Sequence, residues 1–128
     1  MSDFSSALNV SSSGLRAQAA RLRHVSENIA NSDTPGYRRK LVAFETDPEA
    51  PAGTVRLGRV QLDQSDTKRI FDPSHPMSDE TGHYQGSNVD LVIEIADARE
   101  AQRSYEANLK MFDQTRQMSA ALMDLLRK

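Results

Sequence analysis

Leu8, Leu15, Leu22 and Ile29 recur every seven residues, and Phe4, Ser11, Gln18 and Val25 fill the complementary positions between them. A heptad seam of this length restricts the segment to one long helix with one side turned to a partner. Ala17, Ala19 and Ala20 add helix propensity. The expected helix runs from about Phe4 to Asn31, where Asn31 is expected to serve as a left-handed cap. Pro35 cannot continue a helix and drives Thr34 extended. Pro35-Gly36 suits the two central positions of a type II turn.

The other end of the chain makes a similar demand. From Asn88 to about Arg127 no Gly or Pro interrupts the sequence. Ser87 or Asn88 is the expected N-cap. Asp90 and Glu94 set negative charge at the positive end of the helix dipole. Ala101, Ser104, Asn108, Met111, Thr115, Met118, Leu122 and Leu125 follow each other at steps of three and four, and Tyr105, Leu109 and Phe112 form a second stripe. A helix far longer than the ~11–12-residue mean needs a partner along its length.

Between them, residues 37–87 hold four of the five prolines and no helical period. Strand-like runs occupy 40–45, 54–57 and 59–62, separated by a wide turn at 47–53, and 72–76 reads as extended and turn-rich. The expected fold is mainly α: long N- and C-terminal helices paired as a coiled coil, with a small β-rich or irregular central module at the far end of the helical hairpin. The divisions fall at 1–36 (N-terminal helix and Pro-Gly turn), 37–87 (connecting module) and 88–128 (C-terminal helix).

Hydrophobic residues make up 38% of the chain and aromatics 5%, which is a thin supply for a core. Ala30, Ile93, Ile95 and Leu126 are apolar residues off the main seams, so more surface is expected to be buried between subunits than within one. The candidate subunit-interface residues are Leu8, Leu15, Leu22, Ile29, Tyr105, Asn108, Met111, Met118, Leu122 and Leu125.

The net charge of -2 argues against a nucleic-acid partner. The Arg38-Arg39-Lys40 run is better explained by solvation or salt bridges between subunits. No transmembrane segment and no cleavable signal peptide are expected. Cys is absent, so no disulfide or thiolate site exists. No Gly-x-Ser-x-Gly elbow or phosphate loop occurs, and His24, His75 and His83 suggest no triad. Asp72, His75, Asp79, Glu80 and His83 carry metal-ligand chemistry, but their spacing matches no standard site. The expectation is a non-enzyme without metal or cofactor. A cytoplasmic helical adaptor or chaperone is the alternative to an assembly subunit.

The stretch Asn28-Ile29-Ala30-Asn31-Ser32-Asp33-Thr34-Pro35-Gly36-Tyr37 resembles the N-terminal signature of bacterial flagellar rod and hook proteins. Asn88-Val89-Asp90, with Arg103-Ser104-Tyr105-Glu106-Ala107-Asn108, resembles the C-terminal one. Asp72-Pro73-Ser74-His75-Pro76 and Gly82, with the short length, are most like the proximal rod members of that family. His83 and Ser87 depart from the usual Tyr and Pro. The resemblance implies a structural subunit that is exported by the flagellar type III apparatus without a cleaved signal. It further implies polymerisation in the periplasm, with other rod proteins and with copies of itself, into a tube around the export channel. Asn31, Thr34, Pro35, Gly36 and Tyr37 are the implied signature turn. Phe4 and Leu8 are similar to the short element through which such proteins engage the export gate.

Overall fold

The computed structural model describes residues 2–127. Two helices, α1 (Ser2–Ala30) and α2 (Leu91–Arg127), flank six short strands: β1 (Lys40–Leu41), β2 (Phe44–Thr46), β3 (Val55–Leu57), β4 (Gln61–Leu62), β5 (Arg69–Phe71) and β6 (His83–Gln85). The helices pack antiparallel. Descending α1 through Asn28, Arg21 and Gly14 meets, in turn, Glu94, then Asp97 and Glu100, then Asn108.

On α1 the heptad reading holds. Ser11, Gln18 and Val25 are buried, and Leu8, Leu15, Leu22 and Ile29 are half-buried. On α2 the inward stripe is Glu94, Ala98, Ala101, Tyr105, Asn108, Phe112, Thr115 and Ser119, again at steps of four and three. Met111, Met118, Leu122 and Leu125, expected to pair with α1, are instead exposed. The register explains this correction. Fully buried Glu94 and Ala101 fix which side meets α1, and that rotation brings Tyr105 and Phe112 inward and carries the methionine–leucine stripe to the flank.

The ends of the helices also differ from expectation. Asp90 is the N-cap of α2: its Oδ1 accepts from Val92 N at 3.0 Å, as a cap side chain does for the second helical amide. Ser87 and Asn88 bond elsewhere. No described non-glycine residue has positive φ, so Asn31 is not a left-handed cap. Its Nδ2 donates to the Glu27 carbonyl at 2.8 Å, and its Oδ1 accepts from Thr34 Oγ1 at 3.0 Å. The Glu27 carbonyl also accepts from Asn31 N at 3.0 Å, so Asn31 closes the last turn with both its main chain and its side chain while φ stays negative. The Pro35-Gly36 turn is type II as read: Tyr37 N donates to Thr34 O at 3.2 Å, and Gly36 has φ 74°.

Residues 39–63 form one antiparallel hairpin with β1 on β4 and β2 on β3. Lys40 pairs with Leu62 and Leu41 with Gln61, while Phe44 pairs with Leu57, so the register slips by one between the two ladders. Gly58 N bonds Ala43 O at 2.8 Å, leaving Arg59 and Val60 opposite Val42 alone, a bulge that bends the returning strand. This hairpin does not sit beyond the end of the helices, as expected. It lies back along α1: Val55 N donates to Ser13 Oγ at 3.1 Å, and Gly53 lies against Val10. Small residues on that side of α1, Ser13 and Ala17, both buried, admit the strand. A second hairpin, β5 on β6, was not expected as strands. It pairs Arg69 with Gln85 and Phe71 with His83, and hangs on the turn because Gly36 N bonds the Gln85 and Gly86 carbonyls at 3.1 Å.

Candidate assembly site

At one end of the helix pair, α1, α2 and both hairpins meet in a polar junction. Asn28, 1% exposed, lies at its centre. Its Oδ1 accepts from Tyr37 Oη and Lys40 N, both at 2.8 Å, and its Nδ2 donates to Lys40 O at 3.1 Å and Glu94 Oε2 at 3.3 Å. Every donor and acceptor of the amide is therefore used. Glu94, 0% exposed, takes Arg39 Nε on its other oxygen at 2.6 Å. Such a carboxylate tolerates burial only when paired and hydrogen-bonded. The Arg39 guanidinium also reaches Asp97 at 3.4 Å and Asp63 at 3.7 Å.

Backbone bonds extend the junction. Arg39 N donates to Asn88 Oδ1 at 2.7 Å, Asn88 Nδ2 to Asp63 O at 2.9 Å, and Asn88 N to Tyr37 O at 3.2 Å. Ser87 Oγ donates to Ser32 O. Lys40 Nζ pairs with Glu27; this bond lowers the Glu27 pKa and raises that of Lys40. Burial raises the Tyr37 phenol. The Ser65 backbone amide holds Asp63 below the ordinary carboxylate range. Within the chain, then, the Arg38-Arg39-Lys40 run is consumed by intramolecular partners, with Arg38 donating to the Asp63 and Ser65 carbonyls.

Away from the junction, α2 touches the rest of the molecule on one side only. Leu91, Val92, Ile93 and Ile95 are exposed near its start, and Leu109, Met111, Met118, Leu122, Met123, Leu125 and Leu126 further along, with Val92 77% and Leu125 68% exposed. Tyr105 and Asn108 are half-buried on the side of α2 that meets α1, and Phe4 and Leu8 are half-buried on α1. The last turns, 120–127, are exposed on every side. Of the ten candidate interface residues, six thus lie at the internal helix contact and four on the outer flank. The junction was the feature that sequence reasoning missed. Its one signal was Glu94 at an inward heptad position.

The Asp72–His83 segment builds its own turn. Asp72 Oδ1 accepts from Ser74 Oγ at 2.6 Å, and Asp79 Oδ1 from Thr81 Oγ1 at 2.6 Å, and each bond depresses the carboxyl pKa. His75 stacks on Tyr84 at 3.9 Å between centroids, and His83 tilts against Phe71. Among the described residues no group of three His, Cys, Asp or Glu side chains is placed to hold a metal ion, and no helix is long and apolar enough to cross a membrane.

A long helix pair with its polar chemistry spent on internal ties and an apolar helix flank turned outward is the architecture of a structural protein. Comparison with known families places it further. Residues 8–38 match the family described as "Flagella basal body rod protein", and residues 80–125 match "Flagellar basal body rod FlgEFG protein C-terminal". Over 136 residues the chain is 43% identical to the flagellar basal-body rod protein FlgC of Agrobacterium fabrum, covering 99% of this chain and 98% of the relative. It is 37% identical to the FlgC of Aquifex aeolicus, over 92% and 93%, and 31% identical to that of Salmonella typhimurium, over 91% and 93%. The chain belongs to the flagellar basal-body rod protein family.

Proposed function

We propose that this protein is a subunit of the proximal rod of the flagellum, polymerising through its terminal helices into a tube around the export channel. In this reading it forms part of the drive shaft for motility. The observation that carries it is the run of exposed Leu, Ile, Val and Met side chains along α2. Each such side chain yields ~1.5–3 kcal/mol when fully buried. A soluble monomer gains nothing from keeping them exposed, whereas neighbours packed against α2 recover that energy at every contact. Met111, Met118, Leu122 and Leu125 make the contacts between subunits. Leu8, Leu15, Leu22, Ile29, Tyr105 and Asn108 hold the helices together as a coiled coil within the tube. Residues 1–36 and 88–128 form the inner tube, and 37–87 its outer wall.

The family reading adds export by the flagellar type III apparatus, without a cleaved signal, to a periplasmic rod. Phe4 and Leu8 engage the export gate before they pack in the helix pair. Other rod proteins and further copies of this chain are the partners. Leu122→Asp tests the central claim. It alters an exposed side chain in the last turns of α2, so the purified monomer keeps wild-type stability within ~0.5 kcal/mol, while a strain carrying it makes no rod and does not swim. A motile strain with normal basal bodies refutes the reading. Retention of the wild-type protein in the cytoplasm refutes it in favour of an adaptor.

A further inference from the structure

Three segments distant in sequence supply the junction: Asn28 from α1, residues 37–40 from the first hairpin and its approach, and Glu94 from α2. At the other end of the helix pair no comparable polar tie exists among the described residues. There the α1 face is Ser11, Gly14 and Leu8, with the Asn108 side chain lying against Gly14.

We propose that the buried Asn28–Glu94 contact is a coincidence lock, which closes only when both helices and the 37–40 segment are in place, so that helix pairing and docking of the central module are one event.

Each partner alone is costly to bury. Glu94 without Asn28 and Arg39 is a desolvated carboxylate. Asn28 without Lys40, Tyr37 and Glu94 is an amide with unmet bonds. α2 on α1 without the hairpin would bury Glu94 with no cation, since Arg39 Nε at 2.6 Å is its only ionic partner among the described residues. The hairpin on α1 without α2 would leave Arg39 with Asp63 alone. Partial assemblies are therefore disfavoured, and the helix pair opens first at the end remote from the lock.

The donor–acceptor polarity of the contact supplies a test that a packing role would not pass. Asn28→Asp replaces the Nδ2 donor by a carboxylate facing Glu94 and adds little change in volume. The charged groups around it are Arg39 and Lys40 on the hairpin side, Glu27 on α1, Asp97 on α2 and Asp63, with the Tyr37 phenol above. Two carboxylates at hydrogen-bond distance cannot both stay ionised cheaply, and one pKa rises. The experiment is amide-exchange protection, measured by NMR on the full-length chain at neutral and mildly acidic pH.

In the wild type, protection at residues 22–30, 39–62 and 91–101 should be alike. In Asn28→Asp it should fall about tenfold or more in all three segments together at neutral pH, and return in part at about pH 5, where the pair shares a proton. The double variant Asn28→Asp/Glu94→Gln, which swaps donor and acceptor, should restore protection at neutral pH relative to Asn28→Asp alone. Loss confined to the helices or to the hairpin overturns the lock. So does loss that neither acid nor the double variant relieves, or a wild-type chain unprotected at residues 22–30.

Discussion

Gly14 lies inside α1 with negative φ, where glycine has no conformational role. Replacing it with Ala in a helix interior ordinarily stabilises by ~0.8–1.0 kcal/mol. Here a Cβ at residue 14 would stand 2.9 Å from Asn108 Nδ2 and 3.2 Å from its Cγ. Something must move, and the least expensive response is for the Asn108 side chain to leave its rotamer, at ~0.5–1.5 kcal/mol. The two effects nearly cancel. Gly14→Ala alone should fall between a loss of about 0.7 and a gain of about 0.5 kcal/mol, well short of the ordinary gain. Asn108→Ala removes the obstruction, so in that background Gly14→Ala should recover the full gain of ~0.8–1.0 kcal/mol. Urea titrations followed by circular dichroism, on wild type, both single variants and the double, give the coupling directly. Equal gains in the two backgrounds would show that α2 does not approach α1 at this level, and the helix register built on Gly14 and Asn108 would be wrong.

Gly36 gives a contrasting case: nothing lies within 4 Å of a Cβ there, yet φ is 74°. Gly36→Ala should destabilise by ~1–2 kcal/mol through backbone strain alone, read as a lower urea midpoint with an unchanged slope. Stability should also depend on pH in a defined sense. Glu27, Asp63, Asp72 and Asp79 all have lowered pKa values in the folded chain. Their contribution is complete above the ordinary carboxylate pKa of ~4 and lost as acid protonates the folded groups. Asp63→Asn should flatten the acid limb, and an unchanged limb would remove Asp63 from the account. At the alkaline end Lys40 and Tyr37, both raised, should contribute below their unfolded pKa values and lose that contribution as pH climbs through the folded ones.

The helices were legible because their signals are local and repeated. Leu8, Leu15, Leu22 and Ile29 need no knowledge of a partner to announce a seam, and Thr34-Pro35-Gly36-Tyr37 needs only the φ preferences of Pro and Gly. The rotation of α2 was not legible. Met111, Met118, Leu122 and Leu125 are the more apolar stripe, so a rule that buries grease chooses them. What settles the matter is Glu94, whose burial depends on Arg39, a residue 55 positions away on a different element. The placing of the first hairpin was hidden for a similar reason. Ser13 and Ala17 look neutral in sequence, and only their smallness, together with a hydroxyl that accepts from Val55 N, lets a strand lie along α1. At the candidate site, the signature residues Asn31 to Tyr37 could be named from resemblance alone. That Asn28 and Tyr37 bond each other, and that Lys40 closes the same ring, required coordinates.

α1 is enclosed by α2 on one side and by the first hairpin on another, whereas α2 leans on the fold along a single stripe. Variation should therefore be read differently on the two helices. A change tolerated by the isolated chain yet lethal to swimming will fall almost wholly on α2, because there the fold itself imposes so little. Scored side by side for solubility and for motility, a saturation library of α2 would draw, residue by residue, the outline of whatever stands beside it.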